Sequence, residues 1–283
     1  MNKNIFTFIG FDNEFEESQI VLFGAPFDGT TSFRPGTRFA PNIMRNDSFG
    51  LETYSPYLNK DLEDYMLFDS GDLDFPFGNP QRIIDMIKDH SKAIVNAGKI
   101  PFMIGGEHLV TLGSVQSVYE KYNDLHIIHL DAHADLREDY MGQKLSHATV
   151  LRRCHDFLGD GRIHQFGIRS GTKEEFTWAK DHVDMHPFSL DGLKEVIDEL
   201  KDKPVYITID LDVLDPSIFP GTGTIEPGGI SFLELVGAFK EFSRLNNIVG
   251  MDAVELSPHY DQSGMSTAVA CKVIREMALI AVK

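Results

Sequence analysis

The sequence is poor in cysteine, in positive charge and in long apolar runs. Only two cysteines, Cys154 and Cys271, occur in 283 residues. They lie far apart with no C-x-x-C spacing, which excludes a disulfide framework and a cysteine-built structural zinc site. Basic residues number 26 against 43 acidic ones, a formal net charge of -17. A surface of that sign repels nucleic acid and anionic membranes, so neither is expected as a partner, and it draws small cations toward any cleft. No apolar stretch approaches the roughly eighteen residues of a membrane span. The short apolar run from Ile5 to Phe11 is followed by Asp12, Glu14, Glu16 and Glu17. With no small-residue cleavage site, it does not read as a signal peptide, and the expected compartment is the cytoplasm. Repeats and low-complexity segments are also missing, and a lone Gly221-x-Gly223 is too weak a pattern for a dinucleotide site.

What is present is an ordinary globular composition, 42% hydrophobic and 24% charged, arranged as strands alternating with helices. Strands are expected at 19–24, 64–69, 100–104, 125–131, 162–168, 183–188, 205–212 and 248–255. A helix should start at Asn79-Pro80, with Asn as cap and Pro in the first turn, and stop at Gly98; Ile83, Ile87 and Ile94 fall at helical spacing and should face the sheet. Further helices are expected after Gly105-Gly106 and at 146–157, 173–180, 190–200, 232–245 and 265–282. This alternation predicts an α/β protein of three layers, αβα, with a central, mostly parallel sheet, folded as one domain over residues 1–283. The turn-rich stretch from Ala25 to Gly36 follows the first strand, where α/β proteins place ligand contacts. Asp69, Asp72 and Asp74 read as a solvated loop or strand end rather than a metal cluster.

The chemistry concentrates in His129-Leu-Asp131-Ala-His133-Ala-Asp135-Leu-Arg137, which follows an apolar strand. Side chains of an extended chain alternate, so Asp131 and His133 share one side while Leu130 and Ala132 take the other. The stretch Val205 to Asp215 repeats the pattern, with Thr208, Asp210 and Asp212 opposite Ile207, Ile209 and Leu211. Two strands that end in inward carboxylates bring like charges together at low dielectric, which costs several kcal/mol unless cations are present. His108, in Gly105-Gly106-Glu107-His108, supplies a third source of ligands. Asp131, Asp135, Asp210 and Asp212 carry four negative charges, which balance two divalent ions. Donors dominated by carboxylate oxygen with two imidazoles favour two Mn(2+), with nickel or another divalent ion as the alternative; a tetrahedral zinc site would use fewer ligands and more nitrogen or sulfur.

Gly105-Gly-Glu-His108, Asp131-Ala-His133-Ala-Asp135, Ser146-His147, Asp210-Leu-Asp212-Val-Leu-Asp215-Pro216 and Gly250-Met-Asp-Ala-Val-Glu255-Leu-Ser-Pro258 resemble the ordered motifs of the ureohydrolases, the arginase and agmatinase family. The resemblance runs from about Gly24 to the C-terminus and is strongest toward the agmatinase branch. It implies an arginase-like fold and hydrolysis of agmatine to putrescine and urea by a metal-bridging hydroxide. Carried over residue by residue, it gives one ion His108, Asp131, Asp135 and Asp210, and the other Asp131, His133, Asp210 and Asp212, so that Asp131 and Asp210 bridge. It also gives Asp135 the transfer of a proton to the departing amine, Glu255 a contact to the guanidinium, and His147 proton exchange with solvent. A homotrimer or homohexamer follows from the resemblance as well.

The substrate is read as a small cationic guanidino compound. No arginase-like Ser-Gly-Asn run occurs between Leu136 and Ser146, and Glu138 and Asp139 are the acids placed to favour the free amine of agmatine. Arg137, Lys144 or Arg169 would instead suit an anionic tail such as that of guanidinobutyrate; arginine and free guanidine also stay open as substrates. A metal-dependent deacetylase would carry adjacent histidines, which this chain lacks, and a non-catalytic binding protein would have no reason to keep all six ligand positions. His126 and His129 are expected to be structural.

Overall fold

The computed structural model describes residues 1–282. Short buried runs rich in Val, Ile and Leu form the interior strands of the sheet, as expected where both faces are covered. In chain order the main elements are β1 (Ile20–Ala25), α1 (Ala40–Ser48), β2 (Tyr54–Ser55), β3 (Lys60–Asp61), β4 (Leu67–Asp72), α2 (Pro80–Asn96), β5 (Ile100–Gly105), α3 (Thr111–Lys121), β6 (His126–Leu130), α4 (Val150–Leu158), β7 (Ile163–Ile168) and α5 (Lys173–His182). They continue with β8 (Asp184–Pro187), α6 (Leu193–Leu200), β9 (Val205–Asp210), α7 (Phe232–Phe242), β10 (Ile248–Val254) and α8 (Met265–Ala281). Eight strands form one sheet in the order β4-β1-β5-β10-β9-β6-β7-β8, and every neighbouring pair is parallel. The last strand of the chain, β10, lies between β5 and β9 in the middle of the sheet.

Alternation along the strands divides the core in two. Ile20, Leu22, Phe102, Ile104, Ile207 and Ile209 face α1, α6, α7 and α8, while Val21, Phe23, Met103, Ile127 and Tyr206 face α2, α3, α4 and α5. The result is three layers, helices on both faces of the sheet. Helix α2 keeps its expected limits: Asn79 Oδ1 accepts from Arg82 N at 3.1 Å, and Ile83, Ile87 and Ile94 are buried. Both cysteines are buried and free. Among the described residues no helix is long and apolar enough to cross a membrane.

Three features depart from the sequence reading. Helix α1 carries Met44 inward among polar neighbours, Asn42, Arg45, Asn46 and Asp47, so it offers no clear apolar period. The small antiparallel pair β2 and β3 is too short to show alternation. The strand expected at 64–69 begins at Leu67, because residues Leu62–Asp64 close a 3-10 turn capped by Asp61. As a consequence Asp69 is not solvated but fully buried. Its carboxylate takes Arg45 Nε at 2.7 Å and Nη2 at 3.0 Å, with Asp72 bonded to Nη1 of the same guanidinium. It also accepts from the backbone N–H of Phe8 and Gly71, both at 2.9 Å, tying the N-terminal segment to the sheet. Asp72, which ends β4, and Asp74 are exposed, in keeping with the solvated loop or strand end expected of these acids.

His90 on α2 packs against Phe23, with ring centroids 4.8 Å apart, and its Nε2 lies 3.2 Å from Ser70 Oγ. Burial lowers its pKa from 6.5 to about 4. Between these values the unfolded chain binds the proton and the native chain does not. The stabilising contribution of neutral His90 is therefore present above pH 6.5 and lost as pH falls toward 4. The thermal midpoint should drop through that window, and His90→Gln should flatten the drop by up to a few kcal/mol. Identical slopes for variant and wild type would remove His90 as the cause.

Candidate metal centre

The expected donors converge at the C-terminal edges of β5, β10, β9 and β6, four consecutive strands of the sheet. His108 opens the 3-10 turn after β5, Asp131 follows β6 directly, Asp210 ends β9, Asp212 lies in the turn behind it, and Glu255 follows β10. Gly106 makes the first placement possible. A Cβ there would meet Phe27 O at 1.8 Å, so only glycine lets the 105–108 segment pass against the 25–36 loop.

His108 Nδ1 lies 3.0 Å from Asp131 Oδ2, 3.3 Å from Asp135 Oδ2 and 3.4 Å from Asp210 Oδ2, yet it is buried without a hydrogen-bond partner. The other side of the ring explains why. Thr208 Oγ1 donates to Asp252 Oδ1 at 2.6 Å, which uses its one hydrogen, so it accepts from His108 Nε2 at 3.0 Å. Nε2 therefore carries a proton, and Nδ1 is the ring atom aimed into the space between three carboxylates. That is the donor chemistry of a cation site. His133 forms the second half: its Nδ1 is 3.0 Å from Asp212 Oδ2 and 3.6 Å from Asp131 Oδ1. Asp131, His133 and Asp212 bring ligand atoms close enough to share an ion.

The carboxylates are held before any ion arrives. Asp131 Oδ1 accepts from His133 N at 2.5 Å, Asp210 Oδ1 from Asp212 N at 2.9 Å, and Asp212 Oδ1 from Ala132 N at 3.1 Å. Burial, together with Asp131, pushes Asp135 up to about 7; burial, Asp212 and Asp131 raise Asp210 well above the usual carboxylate range. These shifts reflect how closely the buried carboxylates crowd one another, a repulsion that a divalent pair would relieve. Asp135 and Glu255 adopt left-handed backbone, φ 54° and 68°, a strained conformation outside glycine. Both are secured by hydrogen bonds: Asp135 O accepts from Leu151 N at 3.1 Å, Glu255 N donates to Gly106 O at 3.0 Å, and Glu255 Oε1 accepts from His108 N at 2.8 Å.

His133, Asp135, Asp210, Asp212 and Glu255 form the floor of a cavity of about 350 Å³, rimmed by Ser32, Phe33, Arg137, Tyr140 and Thr224, enough for a small linear ligand. His147 stands on its wall, in a turn capped by Ser146 and Thr149. Its backbone N–H donates to Thr30 Oγ1 at 3.1 Å, and its Nε2 is 3.4 Å from Ser32 Oγ. Burial lowers the imidazole to about 4, below the value near 7 that solvent exchange suggested, so at neutral pH it is an uncharged proton acceptor.

Several supporting residues escaped the sequence reading. His129 does more than fill the core: its Nε2 donates to Asp131 Oδ2 at 2.8 Å, while Nδ1 accepts from Gln165 Nε2 at 2.9 Å. Glu107, buried and pushed up to about 7 by that burial, accepts from Thr30 N at 2.9 Å and from the Thr30 and Thr31 hydroxyls. Through Thr30 it pins the 28–36 loop beside His147. Only the placement of Thr208 on the same strand face as Asp210 was a sequence signal.

The expected tail contacts need correction. Glu138 pairs with Lys144, Arg152 and Arg153, and Asp139 Oδ1 caps Gly142 N at 3.2 Å; neither lines the cavity. Arg169 is spent on backbone carbonyls of Gly167, Asp212, Val213 and Glu226. Of the basic candidates only Arg137 reaches the cavity.

Residues 18–280 match the model of the arginase family. The chain is 50% identical over 279 residues to the agmatinase of Bacillus subtilis (strain 168), covering 98% of this chain and 96% of that one. It superposes on a crystal structure of a candidate agmatinase from Clostridium difficile with a TM-score of 0.93 at 53% identity, over 95% of this chain and 98% of the other. The agmatine ureohydrolase of Thermoplasma volcanium gives a TM-score of 0.88 at 36% identity, over 98% and 94% of the two chains.

Proposed function

The chain belongs to the arginase family, and from that membership we propose that it hydrolyses agmatine to putrescine and urea in a centre that holds two divalent metal ions. The observation that carries the reading is the buried, unpartnered Nδ1 of His108 aimed among Asp131, Asp135 and Asp210. His108, Asp131, Asp135 and Asp210 would hold one ion, and Asp131, His133, Asp210 and Asp212 the other. The donor set suits Mn(2+), with nickel or another divalent ion as the alternative. Bound there, the ions supply the Lewis acidity that makes water an effective nucleophile near neutral pH.

The protein's own groups do the rest. Glu255, fixed through its bond to His108 N, receives the guanidinium and sets its carbon above the floor. Asp135 accepts the proton that the attacking water gives up and passes it to the departing amine. His147, neutral at the cavity wall, takes up a proton and exchanges it with solvent. The amine tail extends toward the hydroxyls of Ser32, Ser170 and Thr224. The same membership supports a cytoplasmic homotrimer or homohexamer, each chain acting as one domain over residues 1–283.

Arg137 at the rim favours a second reading, a guanidino acid such as guanidinobutyrate, although its Nε lies 3.5 Å from Glu175, which offsets part of its charge. Urea release by purified, manganese-loaded protein separates the readings. Agmatine should give urea and putrescine, with arginine and guanidinobutyrate giving far less and two metal ions bound per chain. Release from guanidinobutyrate in preference to agmatine would move the assignment to the acid, and one ion or none per chain would overturn the binuclear centre.

A further inference from the structure

A second group of ligating side chains lies outside the cavity, where α4 and α5 end together. His155 sits in the last turn of α4 and His182 is the last residue of α5. Between them the turn Gly159-Asp160-Gly161, with φ of 81° and 69° at its glycines, turns the Asp160 carboxylate back under both rings. His155 Nε2 is 2.8 Å from Asp160 Oδ1, and His182 Nδ1 is 2.6 Å from the same oxygen. The three ligand atoms all lie within 4.8 Å of one another. Asp160 is exposed while both rings are half-buried, so a cation could reach the cluster from solvent.

We propose that His155, Asp160 and His182 form a separate mononuclear site for a borderline divalent transition ion of the zinc, cobalt, nickel and copper class. Two imidazoles and one carboxylate on one face, open to water on the other, suit such ions better than magnesium or calcium, which favour oxygen alone. The spacing fits. An ion with bonds of about 2.1 Å needs neighbouring donors roughly 3 Å apart, close to the distances between these nitrogens and the shared oxygen. Both histidines also stand at helix C-termini, where the backbone carbonyls favour a cation. The rings need little ordering: His182 stacks on Trp178 at 4.3 Å and 21°, and His155 meets the same indole edge-on at 4.6 Å. Binding releases whatever protons the two coordinating nitrogens carry.

Trp178 is the chain's single tryptophan, so its emission reports on this cluster. Protein already loaded with Mn(2+) is titrated with Ni(2+), following Trp178 emission, with bound nickel counted by equilibrium dialysis. The wild type should show saturable quenching at one equivalent of nickel beyond the ions already bound. Asp160→Asn and His155→Gln, each with unchanged urea release, should weaken that phase by at least the tenfold or so that losing even an outer-sphere partner of a metal costs. Absence of a saturable phase in the wild type, or superimposable curves for wild type and both variants, would overturn the site; the second outcome would assign the quenching to metal elsewhere.

Discussion

Asp210→Asn should yield a folded protein that retains no metal after dialysis and releases no measurable urea, a fall in turnover of about three orders of magnitude or more. Asp210 is buried at the end of β9, with one oxygen held by Asp212 N at 2.9 Å and the other 3.4 Å from Nδ1 of His108. It belongs to both proposed ligand sets. The amide removes one negative charge from a cluster whose carboxyl pKa values are raised by burial and by one another, and it puts a donor where an acceptor is required. His147→Ala is the contrasting case. That ring touches Ser32 and Tyr140 rather than the donors, so metal content should stay at the wild-type level while turnover falls by about 10²–10⁴, the usual worth of a positioned acid or base. Metal analysis beside urea release tests both. A loaded, active Asp210→Asn protein would refute the bridging role, and parallel loss of metal and turnover in His147→Ala would sink the proton-exchange role.

Replacing Arg45 by methionine should destabilise the fold by about 3–5 kcal/mol, the usual cost of removing one member of a buried ion pair. Arg45 is 2% exposed and Asp69 is fully buried. The guanidinium answers both oxygens of Asp69 and one of Asp72. Without it, Asp69 keeps only the N–H groups of Phe8 and Gly71, and a buried charge stands uncompensated. Adding Asp69→Asn to the first substitution should restore a good part of the loss, because the amide oxygen can still accept from Phe8 and Gly71 while the stranded charge is gone. Thermal melts of the two variants beside wild type decide the matter. A single-variant loss below about 1 kcal/mol would mean that water or another cation serves Asp69 as well as Arg45 does.

The sheet was legible because buried parallel strands write themselves as apolar runs between turn signals. The positions of Asp131, His133, Asp210 and Asp212 were legible for a related reason: alternation sends every second residue of a strand to the same side, and these four extend that alternation past the strand ends. Helix α1 and the burial of Asp69 were hidden, since their residues are fixed by contacts distant in sequence, Arg45 with Asp69 and Phe8 with Asp69. The same holds for the layer behind the donors. Nothing near His129 announces Gln165, and nothing near His147 announces Glu107; each pair is made by the crossing of strands and loops. The charged tail residues misled for the opposite reason. Glu138 and Asp139 are local to the motif, but their partners Arg152, Arg153 and Gly142 turn them away from the cavity.

The place of β10 in the sheet bears on how the protein is born. It leaves the ribosome after the other seven strands of this sheet, yet it separates β4-β1-β5 from β9-β6-β7-β8. Until it inserts, the nascent chain holds two unjoined half-sheets, one bearing His108 and the other bearing the four aspartates, each with an open edge of unpaired backbone groups. The donor cluster therefore cannot close cotranslationally from the N-terminal side. Its assembly waits for β10, and the interval before it is when the two exposed edges most need protection from pairing with other molecules.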